Sequence, residues 1–300
     1  MAYSLSPFAY TIISQAVPLG QAAWYHHRAA ITRMPLHGKN MDKEHQIEQL
    51  DLSITTPAGP VTATVELPPG FVPVTQIVPL MRRLGGQAQA LEQQRAVASG
   101  QTISCAKGCA ACCRMLVPVS PPEAFALRAM VAALPPERSQ AYLRSVADAL
   151  AQLDRAGLLA RLRHLADTDR PMTDDEMEPI NRAYYALKLP CPFLENEMCS
   201  IYEDRPAACR ELLVTSPADW CQDMVNKPVR ALPVPLRIGT TLGLLWSTLS
   251  GGPPRLIPLP LALEWADHHE AENRAAWTAR DLLDKVLDHI WRLLSNRTQE

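Results

Sequence analysis

Four cysteines fall within nine residues, Cys105-Ala-Lys-Gly-Cys109-Ala-Ala-Cys112-Cys113, and four more follow at Cys191, Cys199, Cys209 and Cys221. The first 104 residues contain none. Cys109 and Cys112 have C-x-x-C spacing, which lets a tight turn bring two thiolates onto one ion. Gly108 frees the turn before Cys109, and Ala106, Ala110 and Ala111 leave room near the sulfurs. Neighbouring side chains at Cys112 and Cys113 point in different directions, so they can serve different ions, or one is a spectator. The later four cysteines are too far apart to form a site alone, and loops must carry them to the first cluster. Arg205 and Arg210 flank Cys209 and are placed to donate hydrogen bonds to sulfur and offset its charge.

Between Cys105 and Cys113 the only charged residue is Lys107. Several thiolates at one spot need a cation, or they stay protonated. A divalent ion or an iron–sulfur core removes that repulsion, and structural zinc can contribute on the order of 10 kcal/mol. Three other readings remain open. Eight is an even number, but disulfide frameworks belong to small exported domains. Ordinary buried cysteines scatter through a core. A thioredoxin-like pair follows a strand and opens a helix, and no strand pattern precedes this one. The metal reading explains the clustering best. Between zinc and iron, the adjacent Cys112-Cys113 and the Cys191-Pro192 step, which resembles the Cys-Pro ending of bacterial iron–sulfur runs, lean towards iron.

The order Cys105-x3-Cys109-x2-Cys112-Cys113, then Cys-Pro-Phe-Leu at 191–194, Cys-Ser-Ile-Tyr at 199–202 and Arg-Pro-x-x-Cys-Arg at 205–210, resembles the CxxCxxCC cysteine-cluster family of YkgJ type. The resemblance covers about residues 101–221, with a first gap of three residues. It implies a zinc- or iron-chelating domain whose ligands are the eight cysteines. Flagellin lysine N-methylases are similar in this pattern, and they imply an iron–sulfur cluster and, as the alternative function, a protein-modifying enzyme. The leading function is therefore metal chelation with a structural or redox and metal-handling role, and no catalytic residue is assigned.

Composition sets the limits. The 300 residues are 47% hydrophobic and 20% charged, enough for a packed core and against wholesale disorder. The formal charge of −2 argues against a mainly electrostatic nucleic-acid or membrane binder. No apolar run reaches the roughly 18 residues of a membrane span. No Lys or Arg precedes Arg28 and no clear export signal is present, so a cytoplasmic location is expected. A G-x-G-x-x-G nucleotide loop is also absent.

The elements that must position the cysteines are mostly helical. Residues 1–45 show no clean period and read as disordered or as an over-long start, with Met34 and Met41 as plausible starts. Residues 46–100 read as a module: alternation at Leu50, Leu52 and Ile54 and again at Val61, Ala63, Val65 and Leu67 predicts a β-hairpin around Thr56–Pro60, followed by a helix over 74–98 interrupted at Gly85-Gly86. Residues 101–225 form the cysteine domain. It includes helices opened by Pro121-Pro122 and Pro135-Pro136, an apolar face of Leu143, Val146, Ala147 and Leu150, a break at Gly157, and a capping box of Thr173 with Glu176. Residues 226–300 read as a helical extension packed on the cluster, with helices over 238–249 and 261–296. The fold expected is mainly α, a helical domain around a loop-rich cysteine metal cluster, with a small N-terminal β-hairpin. The flanking helices offer a surface for a protein partner.

Other chemistry-bearing residues have simpler readings. His26, His27, His37 and His45 lie in or beside the doubtful N-terminal region, and His164 sits at a helix end. Asp267-His268-His269-Glu270 reads as a solvated helix face and Asp174-Asp175-Glu176 as first-turn acids. Tyr184 or Tyr185 is expected to pack over the cluster, and Trp265, Trp277 and Trp291 to anchor helices.

Overall fold

The alternating residues do form a hairpin. Strands β2 (Glu48–Thr56) and β3 (Gly59–Leu67) pair antiparallel with Leu50 opposite Val65 and Ile54 opposite Val61. Pro57 and Ala58 make the turn, and the Thr56 hydroxyl donates to the Gly59 carbonyl at 2.7 Å. A short strand β1 (Met34–Pro35) pairs with β2. The computed structural model describes residues 34–35, 47–170, 172–224 and 226–296. Apart from β1, the expectations for residues 1–45, including the four histidines there, lie outside the described residues.

One hairpin face, with Leu50, Leu52, Ile54, Val61, Val65 and Leu67, is buried against helix α1 (Val78–Ala98). The helix enters through a single 3-10 turn at Val74–Ile77 and runs without a break across Gly85-Gly86. The expected interruption is absent because Gly85 is a contact point: a Cβ there would stand 2.5 Å from Cγ1 of Ile238, at the start of a later helix. Tertiary packing overrides the roughly 1 kcal/mol that each glycine costs inside a helix.

Strand β4 (Phe71–Pro73) lies just before this turn, and β5 (Pro118–Val119) leads into α2 (Pro121–Ala133). Helix α3 (Pro136–Arg155) buries Tyr142, Val146, Ala149 and Leu153, so its inner face is turned from the expected one and Leu143 is 41% exposed. Gly157, at φ +69°, ends it, and α4 (Leu159–Asp167) follows. Helix α5 (Asp174–Ala186) starts at the expected capping box, in which Thr173 and Glu176 exchange side-chain to backbone hydrogen bonds.

The cysteine-rich stretch then holds only strands β6 (Leu194–Glu195) and β7 (Met198–Cys199), the five-residue helix α6 (Ala207–Glu211) and short 3-10 turns. Helix α7 (Ile238–Ser250) ends at Gly251 in the left-handed region, and β8 (Ile257–Pro258) pairs with β5. The expected helix over 261–296 is divided into α8 (Ala262–His268), α9 (Glu270–Asn273), strand β9 (Ala276–Thr278), which pairs with β4, and α10 (Ala279–Asn296). The run Asp267–Ala275 carries no apolar stripe to bury, so the chain turns there. With ten α-helices among the described residues and only small sheets, the fold is mainly α as expected. One apolar core joins the hairpin, α2 and the C-terminal helices, with Phe125 between Trp246 and Trp265 at ring-centroid distances of 5.4 and 5.3 Å. Trp265 and Trp277 pack as expected, whereas Trp291 is 42% exposed and Trp246 takes the anchoring place. None of the described helices is long and apolar enough to cross a membrane.

Candidate metal centre

The first four cysteines lie on a chain of tight turns. The Cys109 N–H donates to the Ala106 carbonyl, Cys113 to Ala110 and Met115 to Cys112, at 3.0, 3.0 and 3.1 Å. Gly108 has φ +95°, a left-handed conformation that explains a glycine beside Cys109. Ala110 and Ala111 are buried. The Cys105 end is stitched to a distant loop: Ser104 N–H donates to the Val214 carbonyl at 2.9 Å, and Val214 N–H donates to the Cys105 sulfur at 3.3 Å.

The later cysteines are brought in by loops, as their spacing requires. The Cys191 N–H donates to the Cys113 carbonyl at 2.8 Å, which joins the two segments directly. Ser145 of α3 donates to the Pro192 carbonyl and Tyr142 meets Phe193 edge to face, so α3 fixes the Cys191 loop. Asn196 and Glu197, both at positive φ, turn the small β6–β7 hairpin that presents Cys199, and Arg114 pairs with Glu197 at 2.6 Å. Cys221 sits in the 3-10 turn Ala218–Gln222. Tyr185 pins that turn, its hydroxyl donating to the Cys221 carbonyl and accepting from the Met224 N–H.

Cys209 rides on α6, and that helix is fixed by two charged residues far away in sequence, Arg82 and Glu123, and by Glu211 at its own end. Arg82 of α1 donates to the Asp204 side chain and carbonyl, both at 2.8 Å. Glu123, buried at the start of α2, accepts from the Ser120 N–H and hydroxyl and from the Ala207 N–H at the head of α6. Glu211 at its tail accepts from the Ile238 and Gly239 N–H groups that open α7. Burial pushes the Glu211 carboxyl up to about 7, against the lowering effect of those two donors. The sequence reading missed all three residues. Ser120-x-x-Glu123 is a capping-box spelling that could have marked Glu123, but no local signal marks Arg82 or Glu211.

All eight cysteines are free thiols. Cys109, Cys112, Cys113, Cys191, Cys199 and Cys209 line one cavity of about 280 Å³, and apolar side chains such as Leu116, Ile201 and Leu259 complete its wall. Among the described residues no three Cys, His, Asp or Glu side chains already surround a common point as ligands. The thiols are nonetheless close enough to perturb one another. The Cys112 thiol is pushed far up, first by its hydrogen bond with Cys113 and then by burial. Burial leads the rise to about 12 at Cys191 and at Cys221, and neighbouring cysteines add to both. Cys105, Cys199 and Cys209 are raised in the same way. Such a group stays protonated unless a cation takes the place of the protons, and a donor set made only of thiols fits a thiophilic metal.

The two arginines do not bond sulfur as expected. Arg205 donates to the Tyr202 carbonyl and stacks on the Tyr202 ring at 3.6 Å, and Arg210 donates to the Arg205 and Glu203 carbonyls. The Arg205 charge still favours the thiolate forms of Cys105, Cys112, Cys199 and Cys209. Tyr184 is buried, and burial together with Cys191 raises its hydroxyl, so its ring packs beside the cysteines as expected. The remaining candidates are accounted for elsewhere. His164 and His268 are exposed, Asp267 pairs with Arg128, and His269 stacks on Trp265. Glu176 is held by Thr173 and Arg170.

Residues 104–224 match a family model, CxxCxxCC, described as "putative zinc- or iron-chelating domain". The matched span contains all eight cysteines, so the resemblance to a CxxCxxCC zinc- or iron-chelating domain holds for this segment. No curated protein and no solved structure matches the chain.

Proposed function

We propose that this protein chelates zinc or iron through its clustered thiolates, and that the centre serves a structural or redox and metal-handling role. One observation carries the reading: cysteines as far apart as Cys105 and Cys221 are gathered by loops, and none is in a disulfide. Cys105, Cys109, Cys112, Cys113, Cys191, Cys199, Cys209 and Cys221 would hold the metal. Bound metal supplies the cation that the buried thiols need as thiolates, and it ties together loops with little regular structure. Free thiols in this number fit a reducing, cytoplasmic compartment. The helices that flank the centre are the surface offered to a protein partner.

Anaerobic purification, elemental analysis and a visible spectrum test this reading. Stoichiometric zinc in a colourless protein supports a structural scaffold. Iron with inorganic sulfide and a broad band near roughly 400 nm supports an iron–sulfur centre and redox chemistry. A chain that carries neither metal, and takes up neither after reduction, would overturn the proposal.

The cavity favours a second reading, an iron–sulfur-dependent protein-modifying enzyme similar to flagellin lysine N-methylases. A single ion needs far less than 280 Å³, and the apolar wall could accept the stem of a side chain. Methyl transfer from S-adenosylmethionine to candidate protein lysines, measured on the metal-loaded chain, would separate this reading from the first.

A further inference from the structure

The eight cysteines do not share their surroundings equally. Cys105, Cys109 and Cys112 pack with Cys221 around Ala111 and Val214, in a small apolar cluster separate from the main core. Cys191 and Cys199 pack instead against the main core. Cys113, Cys191, Cys199 and Cys209 all line the cavity, as do Cys109 and Cys112 at its edge with the first group, whereas Cys105 and Cys221 do not. The backbone divides in the same way. Cys105 is bonded to Val214, near Cys221, while the Cys113 carbonyl accepts from Cys191. The Cys112 and Cys113 thiols are hydrogen-bonded to each other, so the two groups meet at this pair, and the Cys112 side chain packs with the first.

We infer that the cysteines form two separate four-thiolate centres, Cys105, Cys109, Cys112 and Cys221 in one and Cys113, Cys191, Cys199 and Cys209 in the other. The division rests on the metal-binding reading above and deepens it. Four thiolates complete a tetrahedral zinc site or one iron–sulfur cluster, so eight satisfy two centres with none left over. The neighbours Cys112 and Cys113 are the point where the chain passes from one centre to the other. The second centre faces the cavity with all four of its ligands and the first with only Cys109 and Cys112, so the second is the more open to a ligand or chelator entering the cavity.

Graded metal removal from the full metal-loaded chain tests this directly. Aliquots taken during treatment with EDTA are alkylated with iodoacetamide, digested, and read cysteine by cysteine from fragment masses. The expected result is two blocks, with Cys113, Cys191, Cys199 and Cys209 becoming reactive together and Cys105, Cys109, Cys112 and Cys221 together at a different rate. Cys221 reacting with the Cys209 block, or all eight reacting as one, would overturn the division. As a second measurement, Cys221→Ser and Cys209→Ser should each retain half of the wild-type metal, a twofold drop, and the double variant almost none. Loss of all metal in either single variant that keeps its far-ultraviolet helix signal points to one shared cluster and overturns the division. A wild-type chain that holds no metal removes the proposed function as well, whereas full metal with mixed blocks removes only the division.

Discussion

Gly85 and Gly86 are neighbours with opposite surroundings. A Cβ at Gly85 would meet Ile238 Cγ1 at 2.5 Å, whereas one at Gly86 would meet nothing within 4 Å. Gly86→Ala should therefore stabilise the chain by about 0.5–1 kcal/mol, the helix cost of glycine removed. Gly85→Ala should destabilise it by about 1–3 kcal/mol, because the overpacked contact outweighs that gain. Opposite shifts of the urea midpoint would bear this out, and equal shifts would place the α1–α7 contact elsewhere. Glu123 acts on the centre without touching it. Glu123→Ala leaves the Ala207 N–H and the Ser120 donors without their acceptor, at a cost of about 1–3 kcal/mol for each buried group left unpaired. The expected outcome is loss of stability together with faster metal release, measured by denaturation and by chelator competition, while Glu123→Gln keeps much of both. The sequence shows that cysteines gather, because their number and spacing are written in it. It does not show that Arg82, Glu123 and Glu211 set the place of Cys209, because those contacts join residues 84 or more positions apart, or link helix ends whose meeting no local pattern encodes.

Elements with a local physical cause were readable in advance. Period-two alternation gave the hairpin, Pro121 gave α2, and Thr173 with Glu176 gave α5. Elements decided by tertiary contact were not: Gly85-Gly86 did not break α1, and pairing of β9 with β4 divides what reads as one final helix. The α5 cap makes a prediction of its own, since this helix leads into the loop that bears Cys191. Hydrogen bonds from Arg170 and then from Thr173 hold the Glu176 carboxyl well below its usual range, down to about 2. A carboxylate with a depressed pKa stabilises the fold above its ordinary value, and that contribution is lost as pH falls through the folded value. The difference in melting temperature between the metal-free chain and Glu176→Gln should thus be constant above about pH 5 and close as pH is lowered towards about 2. A difference that is flat across this range would mean that the cap adds nothing to folding.

At the scale of the whole molecule, two parts of unequal strength meet. The main apolar core runs from Leu50 in the hairpin to Ile290 in α10 and buries the helices on which the loops rest. The apolar cluster beside the cysteines has, among the described residues, only Ala111, Val214 and Cys221 buried, too little to order the segments around it unaided. Metal must then support the loops but not the helices, and its removal should open the protein locally rather than unfold it. With chelator, the far-ultraviolet helix signal should persist. Trypsin should then cut after Lys107, Arg114 and Arg230 at least about tenfold faster, a modest fraction of the ~10 kcal/mol a structural metal can contribute. Arg95 at the end of α1 and Arg280 in α10, tied by hydrogen bonds to Pro57 and Glu48 of the hairpin, should stay protected in both states. Collapse of the helix signal on metal loss would instead make the cysteine centre a condition for the core. Unchanged cleavage would mean that α6 and the buried carboxylates Glu123 and Glu211 hold the loops in place without metal. The order of these events follows from the chain itself, since the anchoring side chains Ser145, Tyr185, Arg82 and Glu123 project from helices that the main core already holds.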